Sequence, residues 1–451
     1  MDNFDRIRSS IGGMLWPGLP AGTGSTLLAL QYQLDQTQWW PAVELERQQF
    51  RQLANSLRHA FEHVPFHRER LAAAGYEPGR ELTTGDLRSL PRMTRADIQA
   101  HGEALRSRQV PSEHGRIAMG ETSGSTGAPI RHYGTDLTQF FWHACTLREH
   151  LWHRRDAAAK LAAIRKNMRD EQLPTWGPPT ELVFQTGPSV TLDIGNDLDT
   201  QLDWLQRQAP NYLITNAYNL YWLARRSIER GLRLHSLRQV RCFGGTFPDD
   251  ARQVIRRAWD VSLADIYTAE EVGYIAFQCP EHDHYHVQSE NLMVEILDAA
   301  GRPCPPGVIG RVVLTTLHNF AMPLVRYEIG DYAEAGAPCP CGRGLPVITR
   351  ILGRERNMLT LPDGKQRWPS FLSEKWSHAA PVRQLQMVQR SRESIDVNVV
   401  AERGLTEQEK NSLIAALQGC LGHPFAMEVR QLAEIPRSAS HKFEDFVSEI
   451  A

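Results

Sequence analysis

The 451-residue chain contains no uninterrupted apolar run approaching the roughly 20 residues that a membrane-spanning helix needs. Neither sign of charge dominates: 50 Lys and Arg stand against 52 Asp and Glu, a formal net charge of −2. No global basic field therefore calls for nucleic acid or an anionic membrane. Cysteine is scarce and odd in number, seven in all, which argues against a disulfide framework. The opening stretch "MDNFDRIRSSIGGMLWPGLP" lacks the apolar core of a signal peptide, so a cytoplasmic location is expected. Internal repeats and low-complexity tracts are absent, and no Gly-Lys-Ser/Thr completes a Walker A loop.

What is there reads as a soluble globular protein, long enough for more than one domain. Residues 42–75 carry apolar positions at helical spacing and are broken by Pro65, which predicts two helices. Farther on, the apolar runs "KLAAIR", "NYLITNAY" and "RQVRCFGG" alternate with helical stretches such as "NLYWLARRSIERG". That alternation predicts an α/β fold with mostly parallel, helix-covered sheet. From about residue 287 the texture becomes β-rich, as in "VEILDAAGRPCPPGVIGRVVLTTL". The last hundred residues read as a small α+β unit, with a capping box from Thr406 to Glu409 and a helix stop at Gly422.

One loop, "GETSGSTGAP" (120–129), concentrates glycine and hydroxyl side chains. Glycine lets backbone N–H groups approach an anion and Ser and Thr hydroxyls donate to phosphate oxygens, although such loops are also ordinary turns. Four further segments follow in order: "DIYTAEEVGY" (265–274), "VRYEIGDY" (325–332), "GRERNML" (353–359) and "PRSASHK" (436–442). Together with "HAFEHVPFHRERL", "AMPLVRY" and "CPCGR", they make the chain resemble the adenylate-forming enzymes that activate carboxylic acids with ATP. Within these it is most similar to the phenylacetate–CoA ligase branch, from about residue 45 to 445.

The resemblance implies a role for each matched position. Thr122, Ser123, Gly124, Ser125, Thr126 and Gly127 match the loop that holds the β- and γ-phosphates, with Ala128 where a Lys is frequent. Glu271 matches the carboxylate that holds Mg²⁺, a hard cation suited to oxygen ligands. Gly244, Gly245, Asp265 and Tyr267 match positions around the adenine, and Thr268 follows them where Gly is usual. Asp331 matches the acceptor of both ribose hydroxyls, Arg354 an arginine near the ribose and phosphates, and Lys442 the lysine that bridges the acyl carboxylate and the α-phosphate. His441 stands where Gly usually precedes that lysine, and Arg356 and Asn357 where an acidic pair often marks a hinge. An adenylation domain over 1–353 and a mobile lid over 354–451 are implied.

"CPEHDHYHV" and "CPCGR" bring Cys279, His282, His284, His286, Cys339 and Cys341 into consideration as soft metal ligands. Three thiols and an imidazole suit a closed, structural zinc site. Resemblance to relatives favours Cys279, His286, Cys339 and Cys341, with His282 as the alternative. For the acid itself, Phe140, Phe141, Trp142, Tyr218, Phe243 and Tyr274 are aromatic candidates for a pocket wall, suited to an aryl or cyclic acid, although "FFW" can equally be core. The expected reaction is ATP-dependent formation of an acyl-adenylate, release of pyrophosphate and transfer to coenzyme A. Transfer to an amine or a carrier protein is the alternative. A zinc-ribbon nucleic-acid binder is disfavoured by the balanced charge, and a non-catalytic adenylation-fold module by the presence of Glu271, Asp331, Arg354 and Lys442.

Overall fold

The computed structural model describes residues 3–122, 129–245, 250–369, 376, 378–435 and 444–450. Five helices open the chain: α1 (Gly22–Thr37), α2 (Ala42–His63), α3 (Pro65–Ala73), α4 (Thr84–Ser89) and α5 (Arg95–Leu105). Pro65 divides α2 from α3 as expected, because proline is tolerated at the first helical position but not within a helix. Thr83 and Thr94 start the next two helices with reciprocal capping boxes to Asp86 and Asp97. A two-stranded hairpin, β1 (Ile117–Glu121) and β2 (Arg131–Thr135), leads into α6 (Asp136–Trp152).

The parallel region expected from the sequence is then laid down as β3 (Leu161–Arg165), β4 (Glu171–Leu173), β5 (Ser189–Asp193), α7 (Leu198–Gln208), β6 (Tyr212–Asn216), α8 (Ala217–Glu229), β7 (Gln239–Phe243), α9 (Ala251–Trp259) and β8 (Ser262–Ala269). The β-rich region supplies β9 (Gly273–Gln278), β10 (Tyr285–Val287), β11 (Leu292–Leu297), β12 (Ile309–Thr316), β13 (Tyr327–Ala335) and β14 (Val347–Arg354). The two textures share one sheet of 12 strands, ordered β11-β12-β13-β14-β10-β9-β8-β7-β6-β3-β5-β4. β5, β3, β6, β7 and β8 run parallel, and antiparallel pairing resumes at β9.

The order within the parallel part matters for function. The chain leaves β3 toward β5 on one side, then crosses back to β6 on the other side of β3 and continues to β7. The carboxyl ends of β3 and β6 therefore flank a topological switch point, where open α/β sheets form a crevice.

The chain divides into two compact units. The first comprises residues 1–216, 233–244 and 261–351, and the second α8, α9 and residues 352–451. In the second, β17 (Val382–Gln389), β18 (Ser394–Ala401), β19 (Ala426–Gln431) and β20 (Phe446–Ser448) form a sheet ordered β19-β18-β17-β20, while short strands β15 (Leu359–Thr360) and β16 (Gln366–Arg367) pair separately. The helix Glu407–Leu421 buries Leu413 and Leu417 with Leu385, Met387, Val397 and Val399 of that sheet. Its Thr406–Glu409 capping box and left-handed Gly422 stand where the sequence placed them. Among the described residues no helix is long and apolar enough to cross a membrane.

Candidate active site and metal cluster

The hydroxyl-rich segment falls in the chain between β1 and β2. Ser123, Gly124, Ser125, Thr126, Gly127 and Ala128 lie outside the described residues, but the stem is defined. Thr122 N–H donates to the Ile130 carbonyl at 3.0 Å, and Thr122 Oγ1 accepts from Ile130 N–H at 3.1 Å and from Arg95 Nη2 at 3.2 Å. Thr122 therefore clamps the base of the loop.

Two carboxylates singled out in the sequence are each held by a tyrosine. Glu271 is buried, and its Oε1 accepts from Tyr327 Oη at 3.1 Å. Asp331 Oδ2 accepts from Tyr267 Oη at 2.8 Å. A register shift between Tyr267 and Thr268 marks a bulge where β8 turns into β9, and such bulges re-aim side chains next to sites. His132 of β2 lies close enough to Glu271 and Glu270 for their charges to raise its pKa against burial, the larger effect, which lowers it. Asp265, matched to the adenine environment, is engaged within the fold. It accepts from Tyr285 Oη at 2.6 Å, from Cys242 Sγ at 3.0 Å and from Ile266 N–H at 2.8 Å. Gly244, just beyond β7, has φ +73°, a conformation that glycine adopts without strain. Gly245 falls in the second unit.

Also in the second unit, Arg354 ends β14, and its N–H is capped by Asn357 Oδ1 at 3.1 Å. The departures at 356 and 357 acquire a physical reason. Arg356 pairs with Glu444 at 2.6 Å and Asn357 Nδ2 donates to the Phe446 carbonyl at 2.8 Å, so both anchor the segment that ends in β20. Lys442 and His441 lie outside the described residues.

The aromatic candidates separate. Phe140 packs with Leu27, Leu34, Leu147 and Phe184 and is core rather than pocket wall. Phe141 stacks on His318 with centroids 4.1 Å apart. Trp142 leans on Tyr274 at 4.8 Å, and the Tyr274 hydroxyl meets Thr146 Oγ1 at 2.8 Å and Arg241 Nη2 at 3.3 Å. Phe243 carries the Arg165 guanidinium over its ring at 4.8 Å. Tyr218 belongs to the second unit, where it neighbours Trp222. Beneath Tyr274, the buried Glu149 accepts from Arg155 at 2.6 and 2.7 Å and pairs with Arg241 Nε at 2.9 Å. Burial alone would raise the Glu149 pKa, but the two guanidinium charges hold it well below the carboxylate range.

The cysteine and histidine candidates converge. Sγ of Cys279 and of Cys339 and ring nitrogens of His284 and His286 all lie within 4.8 Å of one another. The two thiols are 3.9 Å apart, and Cys341 Sγ stands 3.4 Å from His286 Nε2. Tetrahedral zinc with ordinary bond lengths puts two sulfurs about 3.8 Å apart and a sulfur and nitrogen about 3.5 Å apart. His284 Nε2 and His286 Nδ1 are buried without a hydrogen-bond partner among the described residues. The donor set therefore fits a soft divalent metal. His282 stacks on His284 at 5.2 Å and stays outside the cluster. His284, one of the candidates but not of the favoured ligand set, joins the cluster just before β10, where it and His286 flank Tyr285. The cluster is also tied to α1: Arg343 lies between Trp39 at 4.7 Å and Trp152 at 4.6 Å, and Gly344 N–H donates to the Gln38 carbonyl at 2.9 Å.

No family model matches the chain. Phenylacetate-coenzyme A ligase of Escherichia coli (strain K12) is 26% identical over 424 residues, which cover 88% of this chain and 93% of that enzyme. The Pseudomonas putida phenylacetate-coenzyme A ligase is 24% identical over 347 residues, 73% and 75% of the two chains. Among solved structures, 2-hydroxyisobutyryl-CoA ligase in complex with 2-HIB-AMP matches with a TM-score of 0.71 at 19% identity, covering 91% of this chain and 90% of that one. Anthranilate CoA ligase in complex with anthranoyl-AMP matches with a TM-score of 0.54 at 16% identity, covering 73% and 65%. The chain has the fold of these adenylate-forming ligases, and the resemblance to phenylacetate–CoA ligases read from the motifs is borne out.

Proposed function

We propose that this protein is an AMP-forming acid–coenzyme A ligase, which condenses a carboxylic acid with ATP to an acyl-adenylate, releases pyrophosphate and passes the acyl group to coenzyme A. The observation that carries the reading is the pair of tyrosine-held carboxylates, Glu271 with Tyr327 and Asp331 with Tyr267, in a chain alignable over 88% of its length with such a ligase.

In this reading the loop 122–127 cradles the β- and γ-phosphates, and Glu271 would hold Mg²⁺, which shields phosphate charge. Asp331 accepts from the ribose hydroxyls, its orientation fixed by Tyr267. Gly244, Gly245 and Thr268 border the adenine, and Arg354 stands at the start of a lid formed by residues 354–451. Lys442 supplies the cation between acyl carboxylate and α-phosphate, where charge grows in the transition state. The acid lies between the parallel sheet and α6, beside Phe141, Tyr274 and Phe243. Cys279, Cys339, Cys341 and His286, with His284 as a fifth candidate, would hold a structural zinc that pins the β9–β10 turn to the 339–344 loop. Purified protein assayed for acid-dependent ATP–pyrophosphate exchange, and then for thioester formation with and without coenzyme A, tests the proposal. Exchange without any dependence on acid would overturn it.

A further inference from the structure

Arg165 is the last residue of β3, one of the two strands that flank the switch-point crevice. The strand register places Asp193 beside Arg165, Ala163 beside Ile214 and Asn216 beside Phe243, so Asp193, Arg165, Asn216 and Phe243 lie in one row at the carboxyl edge. Arg241, two residues before Phe243, shares that face of β7 and pairs with Glu149 of α6. The face is therefore the one that α6 covers, where the acid is expected.

Asp193 does not pair with Arg165 despite its place in the row: its Oδ1 accepts from Gly195 N–H at 2.7 Å. Arg155 and Arg241 share a single carboxylate, Glu149. Arg165 is a third cation. It has no acidic partner among the described residues, and its Nε is shut off from solvent with no hydrogen-bond acceptor. The guanidinium lies over the face of Phe243. Burial, and then the charge of Arg241, lower its pKa to about 10, so it stays protonated at neutral pH. A protonated guanidinium with a buried, unsatisfied N–H is costly to the free fold. It gains most when an anion arrives in the crevice, and guanidinium is suited to bidentate pairing with a carboxylate.

We propose that Arg165 is the specificity-determining residue of the acid pocket, and that the acid activated here carries, besides the carboxylate that is adenylated, a second anionic group that pairs with this guanidinium. The inference rests on the ligase reading and narrows it to diacids or similarly charged acids, with Phe243 and Tyr274 flanking the body of the substrate.

Matched pairs of acids test it: an arylacetic acid against its ring-carboxylated counterpart, and an aliphatic monoacid against the diacid of equal length. Acid-dependent pyrophosphate release should favour the charged member of at least one pair by about 10-fold or more in kcat/KM, as expected for a charge-assisted contact. Arg165→Met should raise KM for that diacid by about 10- to 100-fold, move KM for ATP little and erase the preference, while Arg165→Lys retains part of it. Without ligands, Arg165→Met should melt no lower than the wild type, because it removes an unpaired guanidinium whose Nε is shut off from solvent; a merely structural arginine would give a lower Tm. Preference for the monoacids with no change in Arg165→Met overturns the inference, as does a rise confined to KM for ATP. Should Arg165→Met fail to fold, the wild-type preference together with Arg165→Lys decides. Silence toward every acid of both classes would instead remove the ligase reading, and this inference with it.

Discussion

The Tyr267 hydroxyl donates to Asp331 Oδ2 across 2.8 Å and joins β8 to β13, strands that are not neighbours in the sheet. A carboxylate held by one oxygen keeps the other in a fixed direction, which is what recognition of a vicinal diol requires. If Asp331 binds the ribose, Tyr267→Phe should raise KM for ATP by about 2- to 10-fold, the value of one hydrogen bond, and Asp331→Ala by about 10- to 150-fold. The wild type should also discriminate against 2′-deoxyATP, and Asp331→Ala should lose that discrimination. Equal use of the two nucleotides by the wild type would refute the assignment.

Acid lability should be traceable to a histidine far from the chemistry. His67 is fully buried in α3, its Nε2 is 2.7 Å from the Pro323 carbonyl, and burial lowers its pKa from 6.5 to about 4. Between these values the unfolded chain holds a proton that the folded chain does not. The stabilisation is thus fully present above pH 6.5 and is lost as pH falls toward 4, by about 3 kcal/mol for a shift of this size. Urea unfolding at stepped pH should show a shallower decline for His67→Gln than for the wild type. Parallel curves would exclude the role. His153, also lowered to about 4 by burial, should account for part of the remaining slope.

The zinc proposal makes a prediction residue by residue. Purified protein should contain about one zinc per chain, and Cys339→Ser should lose metal and stability together, because binding energy at a closed site is folding energy. His286→Ala should behave like Cys339→Ser. His282→Ala should keep its zinc, since that ring lies outside the donor cluster. A comparison of His284→Ala with Cys341→Ser then identifies which of the two completes the tetrahedron. Full stability with no zinc in the wild type would sink the proposal.

The sequence was informative where local chemistry decides. Pro65 splits two helices, Thr406 and Glu409 cap one another, and alternating apolar runs become β3, β6 and β7. It was silent where meaning depends on what other elements bring. Nothing near Arg165 in the chain says that it will be left without a carboxylate, because Asp193, its neighbour in the sheet, accepts from Gly195 N–H, and Glu149 is drawn to Arg155 and Arg241 by packing of α6. Tyr267 is matched in the sequence to the adenine environment and Tyr327 to nothing, and their role as carboxylate holders emerges only when β8, β9 and β13 share one sheet. Strand alternation could not separate His284 from His282, because both have the parity of His286 and both precede β10.

Lys442 should act in the first half-reaction and little in the second. Its position after "IPRSASH" matches the bridging lysine of adenylate-forming enzymes, and adenylation concentrates negative charge where the acyl oxygen meets the α-phosphate. A pre-placed ammonium stabilises that charge at the transition state more than in the ground state, so its removal should act on kcat rather than on substrate binding. Lys442→Ala should cut acid-dependent pyrophosphate exchange by about 10²- to 10³-fold, the range for losing one electrostatic contact of this kind. Supplied with preformed acyl-adenylate, the same variant should still transfer the acyl group to coenzyme A at close to the wild-type rate. Glu271→Gln should differ, with exchange that recovers in part as magnesium is raised, since there the defect lies in holding the cation rather than in the charge on the reacting oxygen. Unchanged exchange in Lys442→Ala would show that another cation does this work, and Arg354 would be the next residue to substitute.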